Sequence, residues 1–190
     1  TAEFSYNRRF KAYTAEKVRI AKEASRHINP FDTVFIDAST TAYYLANEIK
    51  NIKNLTVITN SLKVISLLSE SSVRVVSVGG VLSENGSFVG NIAEKCIEKS
   101  LFANKMFFSA KGFADNFLIL ESDGAEAAVK QKMFENAKTK YFLCDKSKFG
   151  KVGHIKLTSA DNVDYIITDG HFSAGERSCL EEYGTKTAEV

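Results

Sequence analysis

Short, unbroken apolar runs alternate with longer segments of helical period along this chain. Thr33-Val-Phe-Ile-Asp37, Leu55-Thr-Val-Ile-Thr59 and Val73 to Val78 are runs of the first kind, and Lys105 to Ala110 and Tyr141-Phe-Leu-Cys144 read as extended. The first three have the signature of strands buried on both faces. Between them, Thr14 to Ile28 places Ala15, Val18, Ala21, Ala24 and Ile28 near helical spacing, with Thr14 as N-cap and Asn29-Pro30 as the stop. Ala42 to Ile49, Leu62 to Leu68, Asn91 to Leu101 and Gly124 to Ala137 read as further helices. Two late strands, Ile155 to Leu157 and Tyr165 to Thr168, precede a helix from about Ser173 to Glu182. Strands that alternate with helices pair in parallel through right-handed crossovers. The pattern predicts an α/β, three-layer, Rossmann-like fold with a mostly parallel sheet.

In such sheets ligands bind outside the carboxyl ends of the strands. Those ends supply Asp37, Ser39, Thr40 and Thr41 after the first strand, Asn60 and Ser61 after the second, and Gly79 and Gly80 after the third. Ser109, Lys111 and Gly112 follow the fourth; Asp145, Ser147 and Lys148 follow the fifth. Ser39-Thr40-Thr41 runs straight into a helix, whose unpaired N–H groups suit an anion. Plain N-capping accounts for one hydroxyl; three hydroxyls behind a buried strand, with an aspartate before them, point to a phosphate loop. Gly79-Gly80 alone reads as a tight turn. Glu126 and Lys130, four apart on a helix, read alone as a surface pair worth about 0.2–0.5 kcal/mol.

Composition narrows the function classes. With 25 basic and 23 acidic residues the formal net charge is +2, too mild to predict nucleic-acid binding. The run Asn7-Arg8-Arg9-Phe10-Lys11 reads as a solvated turn. Cys96, Cys144 and Cys179 stand far apart and away from the histidines, which predicts reduced cytoplasmic thiols and no metal site. There is no GxGxxG, no P-loop and no long apolar run, so no dinucleotide, no nucleoside triphosphate, no cofactor and no membrane span is expected.

The ordered series Glu16-Lys17-x-x-Ile20-Ala21, Phe35-Ile-Asp-Ala-Ser-Thr-Thr41, Leu45-Ala46, Leu55-Thr-Val-Ile-Thr-Asn-Ser61, Val78-Gly-Gly80, Gly86-x-x-Val-Gly90, Phe107-Phe-Ser-Ala-Lys-Gly112, Glu126-x-x-Val-Lys130, Asp145-Lys-Ser-Lys-Phe-Gly150 and Ile167-Thr-Asp169 resembles the effector-binding domain of DeoR-type bacterial transcriptional regulators. The resemblance implies a fold like that of sugar-phosphate isomerases and CoA-transferases. It also implies a phosphorylated sugar as effector, gripped by Ser39, Thr40 and Thr41 with Asp37 ordering the loop. Asn60, Ser61, Gly79 and Gly80 would line the pocket, Lys148 would complete its charge, and Lys111, Glu126 and Lys130 occupy matching stretches. Members carry an amino-terminal winged helix-turn-helix that binds DNA, and no such segment precedes Thr14 here. The resemblance thus divides the chain into a remnant linker at 1–13 and an effector domain at 14–190. DNA would be met only through the missing domain, and a homo-oligomer, dimer or tetramer, is expected of a regulator reading two-fold sites.

Two other functions remain compatible with the same residues. One is an aldose–ketose isomerase with Glu126 as base. Isomerases of this look present Gly-Ala-Asp-Glu after the fourth strand and a glycine-rich run before the glutamate. Here those stretches read Ser109-Ala-Lys-Gly112 and Leu120-Glu-Ser-Asp-Gly124, which disfavours catalysis. The other is an assembly module with a vestigial pocket.

Overall fold

The structure, a computed structural model, describes residues 2–190. In chain order it holds α1 (Ala2–Lys11), α2 (Thr14–Ser25), β1 (Thr33–Ile36), α3 (Thr40–Ile49), β2 (Thr56–Thr59), α4 (Leu62–Leu68) and β3 (Arg74–Ser77). A small hairpin, β4 (Val81–Leu82) and β5 (Phe88–Val89), leads into α5 (Asn91–Ser100) and β6 (Ala103–Phe108). There follow β7 (Gly112–Phe113), β8 (Leu118–Glu121), α6 (Gly124–Glu135), β9 (Ala137–Cys144), β10 (Ile155–Ser159), β11 (Tyr165–Thr168), α7 (Ala174–Glu182) and β12 (Lys186–Glu189).

The central sheet has seven strands in the order β12-β11-β9-β6-β1-β2-β3, and every pairing in it is parallel. Period-2 alternation explains why its strands read as unbroken apolar runs. On β1, Val34 and Ile36 enter the core under α2, α3 and α4, while Phe35 enters the core under α5, α6 and α7. On β9, Tyr141 and Leu143 take the first side; Phe142 and Cys144 take the second. Phe107, on the first side, stacks on Tyr141 with centroids 4.5 Å apart. A strand with both faces covered has no polar side to show.

The chain leaves β1 toward β2 and β3, then returns to lay β6 against the other edge of β1. Strand order therefore reverses between β1 and β6, and at such a switch point the two loops part and leave a crevice.

Three features depart from the sequence expectations. The run Asn7 to Lys11 belongs to α1 rather than to a solvated turn. Phe10 gives the reason: its ring lies 5.0 Å from that of Tyr43 and 5.3 Å from that of Tyr44, docking α1 on α3. Thr14 is the first residue of α2, and the N-cap position falls to Tyr13 at φ 56°. Third, β10 lies outside the central sheet, antiparallel to β8 in a small sheet that β7 completes.

Gly80 holds φ +135°, and a Cβ there would lie 2.6 Å from the Val89 carbonyl oxygen. Gly80→Ala is expected to destabilise the protein by about 1–3 kcal/mol through backbone strain. Urea unfolding measures the loss, and Gly79→Ala, whose Cβ would stand 3.7 Å from Ile92, is the mild control.

Candidate functional site

A cleft of about 250 Å³ opens above the carboxyl ends of β1 and β6. Its floor is the β1–α3 turn. Ser39 N-caps α3 by accepting from the Ala42 amide at 3.2 Å, and its own hydroxyl donates to Asp37 Oδ1 at 2.6 Å. The Ser39 amide donates to the same oxygen at 3.1 Å. Asp37 Oδ2 accepts from the Ser109 amide at 3.2 Å and meets the Lys130 ammonium at 3.1 Å. One buried carboxylate thus fixes the hydroxyl turn to β6 and α6. Ser39, Thr40 and Thr41 line the cleft, and Asp37 lies beneath them at 1% exposure.

Lys130 is fully committed. It donates to the Ser109 carbonyl at 2.6 Å and pairs with Glu121 as well as Asp37. Burial alone would lower its pKa, but Glu121 and Asp37 outweigh that and hold it well above the ordinary lysine range. The exposed Glu126–Lys130 pair suggested by helical spacing is not what forms. Tertiary partners win because Lys130 faces inward, against the end of β8.

The cleft is lined by charges of both signs. Lys148 sits in the turn after β9, where Asp145 accepts from the Ser147 amide at 3.1 Å and from its hydroxyl. Burial lowers the Lys148 pKa, Asp145 opposes that, and Arg9, Lys151 and Lys111 depress it further. Arg9, Lys111 and Lys148 are its cations beside the committed Lys130. Glu121, Asp123 and Glu126 line it as well, with Ser87 donating to Glu126. Burial raises the Glu126 pKa above its ordinary 4.5, against the Ser87 hydrogen bond and Lys130 and with help from Asp123 and Asp37. Ser109 Oγ lines the cleft, buried and without a hydrogen-bond partner among the described residues.

Of the residues singled out from sequence, Ser39, Thr40, Thr41, Lys111, Glu126, Lys130 and Lys148 come together around this cleft. Asn60, Ser61, Gly79 and Gly80 do not line it. Asn60 and Ser61 instead hold the β4–β5 hairpin. Asn60 Nδ2 donates to the Phe88 carbonyl at 3.2 Å, Phe88 donates back to the Asn60 carbonyl at 2.8 Å, and Ser61 bridges Ser87. That hairpin carries Asn85 to the cleft and Ser87 to Glu126. Sequence reasoning missed Arg9, Asn85 and the Glu121-Ser122-Asp123 wall. The basic run at Arg8-Arg9 was the only signal for the first; nothing local marks the others. Among the described residues no three His, Cys, Asp or Glu side chains are grouped as a metal ion would need, and no helix is long and apolar enough to cross a membrane.

A hydroxyl-lined helix start at the switch point of a parallel α/β sheet, flanked by cations, is an arrangement suited to an anion. Comparison with known proteins makes the assignment: the chain belongs to the DeoR family, with residues 12–170 matching the DeoR C-terminal sensor domain. It is 34% identical over 191 residues to the HTH-type transcriptional regulator YulB of Bacillus subtilis, spanning 100% of this chain and 73% of that protein. It is 35% identical over 176 residues to the lactose phosphotransferase system repressor of Lactococcus lactis, covering 90% of this chain and 68% of the repressor. With the L-fucose operon activator of Escherichia coli it shares 31% identity over 162 residues, 85% of this chain and 66% of the activator. In fold it is similar to ribose 5-phosphate isomerase A of Methanocaldococcus jannaschii, at TM-score 0.51 and 17% identity over 73% of this chain and 56% of the isomerase. It is likewise similar to eIF2B delta of Chaetomium thermophilum, at TM-score 0.56 and 18% identity over 89% and 61% of the two chains. The relatives are sugar-related transcriptional regulators, and the domain type is a sensor.

Lys130→Met strands two buried carboxylates and is expected to cost about 3–5 kcal/mol in urea unfolding at neutral pH. Glu126 gives the opposite sign. Its folded carboxyl keeps its proton to higher pH than the unfolded one, so native protein binds more protons above pH 4.5 and stability falls as pH rises through that window. Glu126→Gln removes this slope. The variant should gain on wild type as pH rises from about 4.5 toward neutral, read from unfolding curves across pH; a gap that widens toward acid would contradict it.

Proposed function

We propose that this chain is the effector-binding domain of a bacterial regulator of sugar metabolism, and that a phosphorylated sugar occupies the cleft above β1 and β6 without being turned over. The observation that carries the proposal is a cleft lined both by a hydroxyl turn with cations and by a set of carboxylates. A phosphate dianion matches the first: amide N–H groups at the start of α3, the hydroxyls of Thr40 and Thr41, and the ammonium of Lys148. Sugar hydroxyls match the second, as donors to Glu121, Asp123 and Glu126 and as acceptors from the unpartnered hydroxyl of Ser109.

Contacts of this number support micromolar affinity, about −8 kcal/mol. A difference of about 1–3 kcal/mol in that affinity between two arrangements of the full regulator is enough to alter DNA binding. In this reading DNA is contacted by a separate winged helix-turn-helix, and the cytoplasmic regulator is a symmetric dimer or tetramer.

The raised pKa of Glu126 favours a second reading, isomerisation with Glu126 as the base. Against it, Glu126 is held by Ser87, and Lys130, the cation nearest to it, is neutralised by Asp37 and Glu121. A panel of pentose and hexose phosphates scored in parallel for thermal shift and for turnover decides between the two. The expected result is a saturable rise in melting temperature with at least one sugar phosphate, no product, and about tenfold weaker binding in Lys148→Ala, equivalent to ~1.4 kcal/mol. Turnover that disappears in Glu126→Gln would establish the enzyme instead.

A further inference from the structure

Beside the cleft lies a second recess of about 560 Å³, which shares Arg9, Lys111 and Lys148 with it. Six of its ten lining residues are cationic and one, Asp145, is acidic. The cations come from separate parts of the chain: Arg8 and Arg9 from α1, Lys17 from α2, Lys111 from the turn after β6, and Lys148 and Lys151 from the segment after β9. Their convergence is a product of the tertiary fold and not of one basic run.

Lys17 and Asp145 already have partners inside the protein. The Lys17 ammonium donates to the Arg9 carbonyl at 2.7 Å and to the Ala12 carbonyl, closing the end of α1. Asp145 spends one oxygen on Ser147, and its other oxygen has no hydrogen-bond partner among the described residues. Arg8, Lys111, Lys148 and Lys151 form no ion pair with a described residue. Burial lowers the pKa of Lys148, and the crowding of Arg9, Lys151 and Lys111 adds to it. Arg8, Lys111 and Lys151 are exposed and Lys148 is half-buried; like charges gathered in one recess repel until an anion sits among them.

We propose that this recess is a second anion subsite, and that the effector is a doubly acidic sugar: one phosphate on the Ser39–Thr41 turn and a second phosphate or a carboxylate among Arg8, Lys111, Lys148 and Lys151. The inference rests on the reading of the neighbouring cleft as a sugar-phosphate site. Lys111 and Lys148, common to both cavities, bridge the two acidic groups. A monophosphorylated sugar leaves the recess filled with water and its charges unanswered.

The test is calorimetric titration of the protein with three ligands: a hexose 6-phosphate, the same hexose phosphorylated at both ends, and the corresponding 6-phosphorylated sugar acid. A doubly acidic ligand is expected to bind about tenfold more tightly than the monophosphate, with the gain shrinking as salt rises. A gain for the bisphosphate, the sugar acid or both supports the proposal and tells phosphate from carboxylate. The double variant Arg8→Ala/Lys151→Ala, altered only at residues confined to the recess, should lose the gain and bind the monophosphate as wild type does. Equal affinity for all three ligands, or a gain that survives in the double variant, overturns the second subsite and leaves the sugar-phosphate reading standing. Failure of all three to bind, with the pentose and hexose phosphate panel equally silent, overturns both.

Discussion

The carboxylate of Asp37 is where the two halves of this domain are tied together at the point where they would otherwise part. A doubly wound sheet opens a crevice at its switch point because the chain leaves β1 in one direction and comes back on the other side. Asp37 spans that opening, with one oxygen on Ser39 and the other on the Ser109 amide and Lys130. Lys130 in turn holds Glu121 at the end of β8, so the same linkage fixes the small sheet to the large one. The hydroxyl turn is thereby pre-organised: its serine already has its partners, and the geometry of the α3 start does not wait for a ligand.

This arrangement separates two uses of charge. A buried ammonium surrounded by two carboxylates is structural; its charge is answered inside the protein, and removal of one member leaves the others stranded. The partly buried cations of the cleft rim are of the other kind, placed together against their mutual repulsion. Lys130 and Lys148 look alike in sequence, and their pKa values move in opposite directions for this reason: one is set by two close carboxylates, the other by loss of water and by neighbours of its own sign.

Much of the large sheet was legible in the chain because the carboxyl-terminal residues of β1, β6 and β9 are buried on both faces and apolar there, whereas the first halves of β6 and β9 carry Asn104, Lys105, Lys138 and Lys140. Strand pairing was not legible for β7 and β8, which have two and four residues and reach the rest of their sheet through the distant β10. The edge strand β12, Lys-Thr-Ala-Glu, carries no apolar run to announce it. The rim residues could be named because strand ends are polar: Asp37 and Asp145, each two positions before a serine, make the same turn twice. Which strand ends meet depends on strand order, and a one-dimensional pattern does not contain it. Asn60, Ser61, Gly79 and Gly80 end β2 and β3, on the side away from the β1–β6 crevice, and serve the hairpin that delivers Asn85 and Ser87. Glu121 escaped notice because its partner lies nine residues on, at the far side of a turn.

The docking of α1 sets the physical limits of the domain. Residues 12–170 carry the family likeness, yet Arg9, which lines both cavities, precedes that span, and Glu189, which binds Arg177 and His171, follows it. A fragment cut to the shared span would keep the sheet's six inner and near-edge strands and lose both the guanidinium and the closing edge strand. The cationic part of the cleft and the edge of the sheet are therefore both completed by residues outside the matched span.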